Sequence, residues 1–213
     1  MNEIKLNQNQ FFEVDKISNG SYYPLDGFMT ERDFYSVLNS FFLPDGQFFS
    51  MPIILDISKN SASKIMVDTS VKLTYQNNLI GEMFVTSKFT CDKQKCAKKI
   101  YGSADAQHPG VKAFYSNHDT YIGGKVTLLE KVRHDLSKYE LTPNETKQIF
   151  KQRNWNTVVA FHTRNPPHLA HEWLQKMALK SYDGLLIHPI LGQKKTGDFL
   201  PMPVINGYKL LIS

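Results

Sequence analysis

The fifteen residues from Val158 to Glu172 restrict the fold more than any other part of the chain. An apolar run, Val158 to Phe161, reads as a buried strand of a parallel sheet. A polar turn, His162-Thr163-Arg164-Asn165, follows it. Pro166 and Pro167 then stop the strand and pre-set the entry to a helix, because a proline has its φ fixed and lacks an N–H. His168 and His171 open that helix three residues apart, a spacing that puts both on one face. Such a helix start has unpaired N–H groups and the positive end of the helix dipole. Arg164 adds a planar fork that matches a tetrahedral oxyanion. Together they make a place to hold an anion.

Around this stretch the chain changes character. Residues 1–135 are rich in β-branched and aromatic residues, and they read as a mostly β domain. Short strands are expected at Met51–Asp56, Lys64–Asp68 and Leu79–Val85, with turns at Asp45-Gly46, Asn77-Asn78 and Gly123-Gly124. One helix is expected over Thr30–Leu38, capped by Thr30. Residues 136–150 read as a linker and connecting helix, which Thr142, Pro143 and Glu145 start with cap, first-position proline and capping box. Residues 151–213 give strand, turn, helix from His168 to about Lys180, a second strand at Leu185–Pro189, a loop over Gly192–Pro203, and a helical pattern from Val204. The expected class is α+β overall, a β domain followed by an α/β unit. A sheet of two parallel strands leaves its faces poorly covered and is a weak independent unit, so the α/β domain is expected to be incomplete and the chain truncated.

Composition removes some function classes. The 213 residues are 41% hydrophobic and 12% aromatic, enough for a packed core. The net charge of +5 and pI near 9.0 are mild and suit an anionic substrate, generic nucleic-acid attraction or no particular partner. The lysines are scattered apart from Lys93, Lys95, Lys98 and Lys99, which read as a solvated turn, so no dedicated nucleic-acid face is expected. Cys91 and Cys96 admit a disulfide or half a metal site, but zinc needs four ligands and no spaced Cys or His pair completes the set. Two reduced thiols in a polar hairpin are the favoured reading. No apolar run is long enough to span a membrane, and the N-terminus lacks a signal core. A soluble, cytoplasmic protein is expected.

Thr163-Arg164-Asn165-Pro166 followed by His168-x-x-His171-Glu172 resembles the signature of the ATP sulfurylase (sulfate adenylyltransferase) family, which usually reads Gln-Thr-Arg-Asn-Pro-x-His-Arg-Ala-His-Glu. Further stretches fit in family order: Tyr23-Pro24-Leu25-Asp26-Gly27-Phe28-Met29, His108-Pro109-Gly110-Val111, Gly123-Gly124-Lys125-Val126, Leu141-Thr142-Pro143-x-Glu145-Thr146 and Gly192-x-x-Lys195-x-Gly197-Asp198. The resemblance implies a PUA-like N-terminal domain and the start of a Rossmann-like nucleotidyltransferase domain. It also implies transfer of AMP from ATP to sulfate, giving adenosine 5′-phosphosulfate and pyrophosphate. Thr163, Arg164 and Asn165 are then the expected catalytic residues. His168, His171 and Lys195 are expected on the ATP phosphates, and His162 and Arg164 on sulfate. Magnesium is expected to arrive with ATP, with no protein-held metal. Glu172 keeps a structural place in the first helical turn. Asp198 either anchors its loop or contacts ribose, and His188 either faces the cleft or packs. Assembly into a homo-oligomer is left open.

The chain departs from the family pattern in three places. His162 stands where glutamine is usual, and an imidazole differs in reach and titrates near neutrality. Leu169 replaces an arginine between the two histidines. Val204 and Asn206 occupy positions where arginines are common. A less cationic site predicts weaker anion binding. Two other readings follow: a related nucleotidyltransferase with another oxyanion acceptor, and a non-enzymatic PUA-like RNA-binding module.

Overall fold

A computed structural model of the chain describes residues 2–129, 136–191 and 197–212. The chain divides into two compact units, Met1–Arg133 and His134–Ser213. Helix and sheet are both abundant, as the α+β expectation requires.

The first unit runs β1 (Asn2–Lys5), α1 (Gln8–Ser18), β2 (Gly27–Phe28), α2 (Glu31–Ser40), β3 (Leu55–Ile57), α3 (Lys59–Lys64), β4 (Thr69–Tyr75), β5 (Asn78–Thr90), α4 (Lys93–Tyr101), α5 (Pro109–Ser116) and β6 (Thr120–Leu128). Its six strands form one sheet in the order β1-β4-β5-β6-β2, with β3 also on β6. The β1–β4 pair is parallel and the others antiparallel. Gln76 and Asn77 both take positive φ, 50° and 64°, the conformation that a two-residue turn needs to match the twist of its strands. Side chains alternate across a strand. Tyr121 and Ile122, neighbours on β6, accordingly enter two separate apolar clusters. Ile122 joins Val14, Val71, Leu73 and Met83; Tyr121 joins Phe34, Phe89, Val111 and Phe114.

Four local expectations fail here. Gly123 and Gly124 do not turn the chain; they lie inside β6. A Cβ on Gly123 would sit 2.2 Å from the Met29 carbonyl oxygen, and one on Gly124 2.0 Å from that of Phe84. The glycines allow backbones to approach, which looks the same as turn chemistry in a one-dimensional reading. Lys64–Asp68 is not a strand. Ser58 caps α3 through Ser61 N, so Lys64 ends a helix, and Asp68 takes a φ of 62° before β4 begins. Of Met51–Asp56 only the last two residues enter β3, since Pro52 has no N–H to pair. The lysine run is helix α4, capped by Asp92 and ended by Gly102 with a φ of 71°. The cysteines are therefore not in a hairpin. Both are free, with Cys96 buried and Cys91 partly so. Burial pushes the Cys96 thiol up to about 12. Helices α1 and α3 to α5 make this unit more helical than its β-rich composition suggests.

The second unit contains a 3-10 turn (Ser137–Tyr139), α6 (Pro143–Gln152), β7 (Val158–Thr163), α7 (Leu169–Ala178), β8 (Gly184–Pro189) and α8 (Pro201–Ile212). Thr142 caps α6: its hydroxyl accepts from Glu145 N at 3.2 Å, and the Glu145 carboxylate accepts from Thr142 N at 2.7 Å. β7 and β8 are parallel, with Val158 opposite Gly184 and His162 opposite His188. One carboxylate, Asp183, ties the entries of both strands together, accepting from Asn156 N at 2.9 Å and Thr157 N at 2.8 Å. The Val158–Phe161 run is less buried than expected. Its residues are half-buried, and Ala160 is exposed. Two strands offer two faces; Val204, Ile205 and Tyr208 of α8 are the buried apolar side chains of this unit among the described residues. Among the described residues of the chain, no helix is long and apolar enough to cross a membrane.

Candidate active site

The site grows from the carboxyl end of β7. Thr163 is its last residue and is buried. The Thr163 hydroxyl accepts from Asn165 N at 3.2 Å, and the Thr163 carbonyl accepts from Ile190 N at 2.8 Å. These bonds bend the chain after β7 and latch it to the end of β8. Thr163 therefore shapes the turn, while Arg164 and Asn165 are carried on it in exposed positions.

The turn leads through Pro166 and Pro167 to His168, which is the N-cap of α7 and not, as the spacing suggested, its first turn. Its φ of −143° is extended, and its side chain makes no capping hydrogen bond. The imidazole instead stacks on that of His171, with ring centroids 3.8 Å apart. His171 also meets Phe161 edge-on at 5.1 Å, and its Nδ1 lies 3.5 Å from the Tyr208 hydroxyl. Desolvation, then the nearby His168, lowers the pKa of His171 below 6.5, against a smaller raising effect from a hydrogen bond with the Pro166 backbone. Two stacked imidazoles at a helix start without a side-chain cap offer directional N–H donors. Helix α8 closes on the same turn: a Cβ on Gly207 would meet Pro167 Cδ at 2.7 Å.

Arg164 is paired with Asp198, Nη2 to Oδ2 at 2.5 Å. Of the two roles open for Asp198, the one visible is an anchor on Arg164. His162 and His188 face each other across the parallel pair with their Nδ1 atoms 3.0 Å apart and their rings tilted by 34°. His188 also lines a cavity of about 390 Å³, together with Tyr139, Leu191, Ile205, Tyr208 and Lys209. The structure brings His162, Thr163, Arg164 and Asn165 together on one strand end and turn, with His168 and His171 directly after. Gly192, Lys194 and Lys195 lie outside the described residues. Glu172 is in the first turn of α7 and pairs with Lys176, the structural place expected of it. Leu169, where the family carries an arginine, is 84% exposed. Sequence reasoning missed Tyr208 and Phe161 as partners of His171. Both sit in apolar patterns that read as core, so no local signal marked them.

These features define a class: a mixed-sheet domain joined in sequence to an α/β unit whose strand–turn–helix carries an arginine and paired histidines. Comparison with known proteins carries this further. Residues 1–131 match the PUA-like domain family, and residues 137–213 match the ATP-sulfurylase family. Curated relatives named sulfate adenylyltransferase include those of Thermococcus onnurineus, 39% identical over 98% of this chain and 54% of that protein; Chloroflexus aurantiacus, 40% identical with the same coverages; and Halothermothrix orenii, 36% identical over 100% of this chain and 56% of that one. A solved structure titled hexameric APS kinase from Thiobacillus denitrificans has the same fold, with a TM-score of 0.73 at 21% identity over 98% of this chain and 38% of that one. The chain belongs to the PUA-like domain family over residues 1–131, and residues 137–213 behind it match the ATP-sulfurylase family. It spans about half the length of the curated relatives it matches.

Proposed function

We propose that the protein serves sulfate adenylyl transfer: AMP passes from ATP to sulfate, giving adenosine 5′-phosphosulfate and pyrophosphate. The observation that carries this reading is the β7–α7 turn, where Arg164 and Asn165 are presented beside the stacked His168–His171 pair. A sulfate oxygen attacks the α-phosphorus and pyrophosphate leaves, so no protein nucleophile is needed. The site has to position two anions and neutralise developing charge. Arg164 holds sulfate by its fork once Asp198 is displaced, and His162 donates to the same anion. Asn165 orients the nucleotide phosphates and Thr163 fixes the bend beneath it. His168 and His171 donate to the phosphates, with Lys195 adding charge. Among the described residues no three His, Cys, Asp or Glu side chains group as metal ligands. The magnesium ion is read as travelling with ATP, bound by substrate phosphates and water, as such ions usually are. Adenosine 5′-phosphosulfate and pyrophosphate are the products, and the protein is read as cytoplasmic. Exposed apolar side chains along α7, Leu169, Trp173 and Leu174 among them, support self-association.

The test is ATP formation from adenosine 5′-phosphosulfate and pyrophosphate. ATP that appears and is lost in Arg164→Ala supports the reading. ATP that survives Arg164→Ala refutes the role of Arg164. No ATP from this chain or from a longer product of the same gene refutes the activity. The His162–His188 contact and the exposed Leu169 favour one second reading, a different oxyanion acceptor. Turnover with selenate, molybdate or a phosphonate exceeding that with sulfate would establish it.

A further inference from the structure

His162 and His188 stand opposite each other in register on β7 and β8. Both are exposed, and their Nδ1 atoms are 3.0 Å apart. That distance is a hydrogen bond, and it imposes a rule on the pair. A neutral imidazole carries one N–H and one bare nitrogen. For two neutral rings to bond Nδ1 to Nδ1, one must be the Nδ1–H tautomer and the other the Nε2–H tautomer. Whichever ring accepts at Nδ1 must carry its proton on Nε2. Each ring therefore dictates what the other shows to its surroundings at Nε2.

We propose that His188 is a positioning residue that donates its Nδ1–H to His162 and thereby fixes His162 as an Nε2–H donor toward the oxyanion. The proposal rests on the reading above that His162 faces the sulfate. Two observations set the direction of the bond. An oxyanion accepts hydrogen bonds and cannot donate them, so a bare Nε2 on His162 would oppose it. His188 in turn lines a cavity together with Tyr139, Tyr208 and Lys209. A wall built from two phenols and an ammonium is rich in donors and suits a bare Nε2 on His188. Where the family has glutamine, an amide N–H serves as donor without help. An imidazole in that place is a dependable donor only if something holds its tautomer, and β8 supplies that group at the register partner.

The tautomers are read directly by long-range nitrogen–proton NMR of the imidazoles in the whole chain, at a pH of about 8, where free imidazole is neutral. The chain has seven histidines, so single substitutions assign them, with His162→Gln identifying the first ring. The expected pattern is a bare Nδ1 and protonated Nε2 on His162 and the reverse on His188. Two variants of similar size test causation. His188→Asn keeps a donor near the place of Nδ1 and leaves His162 as Nε2–H. His188→Asp offers only an acceptor and turns His162 to Nδ1–H. The backbone amide spectrum shows that each variant is folded, and a merely structural role for His188 would not make the two differ. The same His162 tautomer in both variants, or Nδ1–H on His162 in the parent chain, overturns the proposal. Sulfate is then added. Movement of the His162 Nε2–H signal supports both the pairing and the sulfate reading. The expected tautomers with no response to sulfate support the pairing and overturn the sulfate reading alone.

Discussion

Gly184→Ala tests how the second unit holds its strand register. Gly184 opens β8 opposite Val158, and its N–H donates to the Thr157 carbonyl at 3.1 Å. A Cβ there would lie 2.1 Å from Trp155 Cε3 and 2.2 Å from Cδ2. Ordinary contact begins near 3.4 Å, so the indole must withdraw by more than an ångström. That movement breaks its packing against Phe150 at 5.9 Å and under the Arg153 guanidinium at 5.1 Å. The backbone itself is not strained, because Gly184 is not among the positive-φ residues. The cost is therefore overpacking, about 1–3 kcal/mol, or roughly 5- to 160-fold in the folding equilibrium. Trp155 reports it. In a Trp173→Phe background the fluorescence of the remaining tryptophan follows urea unfolding, and Gly184→Ala should lower the midpoint and shift the emission. Trp155→Leu removes most of the obstructing ring, so in that background the same substitution should cost only a few tenths of a kcal/mol by circular dichroism. An unchanged midpoint and emission in the Trp155 chain would refute the argument.

In the first unit, Gly124→Ala combines a φ of +149° with a Cβ 2.0 Å from the Phe84 carbonyl oxygen. Loss of about 3 kcal/mol or more should appear as loss of cooperative unfolding of the β-sheet signal, and a near-normal transition would refute it. Hydrogen bonds from Thr157 N, the Thr157 hydroxyl and Asn156 N hold the Asp183 carboxyl below its ordinary value. The stability this contributes is present above the ordinary carboxylate pKa and is lost as pH falls through the lower folded one; Asp183→Asn should lower the neutral-pH midpoint and flatten the acid limb. Desolvation and His168 lower the His171 pKa, and an anion bound beside the stacked rings should raise it. An NMR titration with and without pyrophosphate that shows no rise would count against phosphate binding there.

The second unit is more legible in the sequence than the first because its signals are local. Thr142, Pro143 and Glu145 mark a helix start by chemistry confined to four residues, and Pro166-Pro167 marks the end of the bend in the same way. Gly123 and Gly124 carry no such local meaning. What they permit is the approach of Met29 and Phe84, far away in the chain. The site divides along the same line. Arg164, His168 and His171 stand out through their spacing, but the ion pair of Arg164 with Asp198 spans 34 residues and the His162–His188 contact spans 26. No period or motif encodes a register partner on a neighbouring strand. His168 shows a subtler limit: spacing placed it inside the helix, whereas one extended residue at the N-cap keeps it near His171 by stacking instead.

The positive charge open to an anion at this turn is smaller than its side chains suggest. Arg164 already holds a carboxylate, the imidazole of His171 resists protonation, and the exposed Leu169 adds none. A sulfate that reaches the Arg164 fork therefore exchanges with Asp198 and does not meet a free cation. Asp198→Asn removes the competing charge. Both side chains keep some exposure, 42% for Arg164 and 20% for Asp198, so solvent screens the pair and its worth is about 0–1 kcal/mol. Sulfate binding by titration calorimetry should tighten up to about 5-fold in Asp198→Asn. Weaker binding would mean that Asp198 aims the guanidinium and does not compete for it. Because the exchange gains little net charge, discrimination among oxyanions in the proposed site then falls to directed donors, with His162 the one proposed above, and a tautomer set from β8 is a physical way to give that donor a direction.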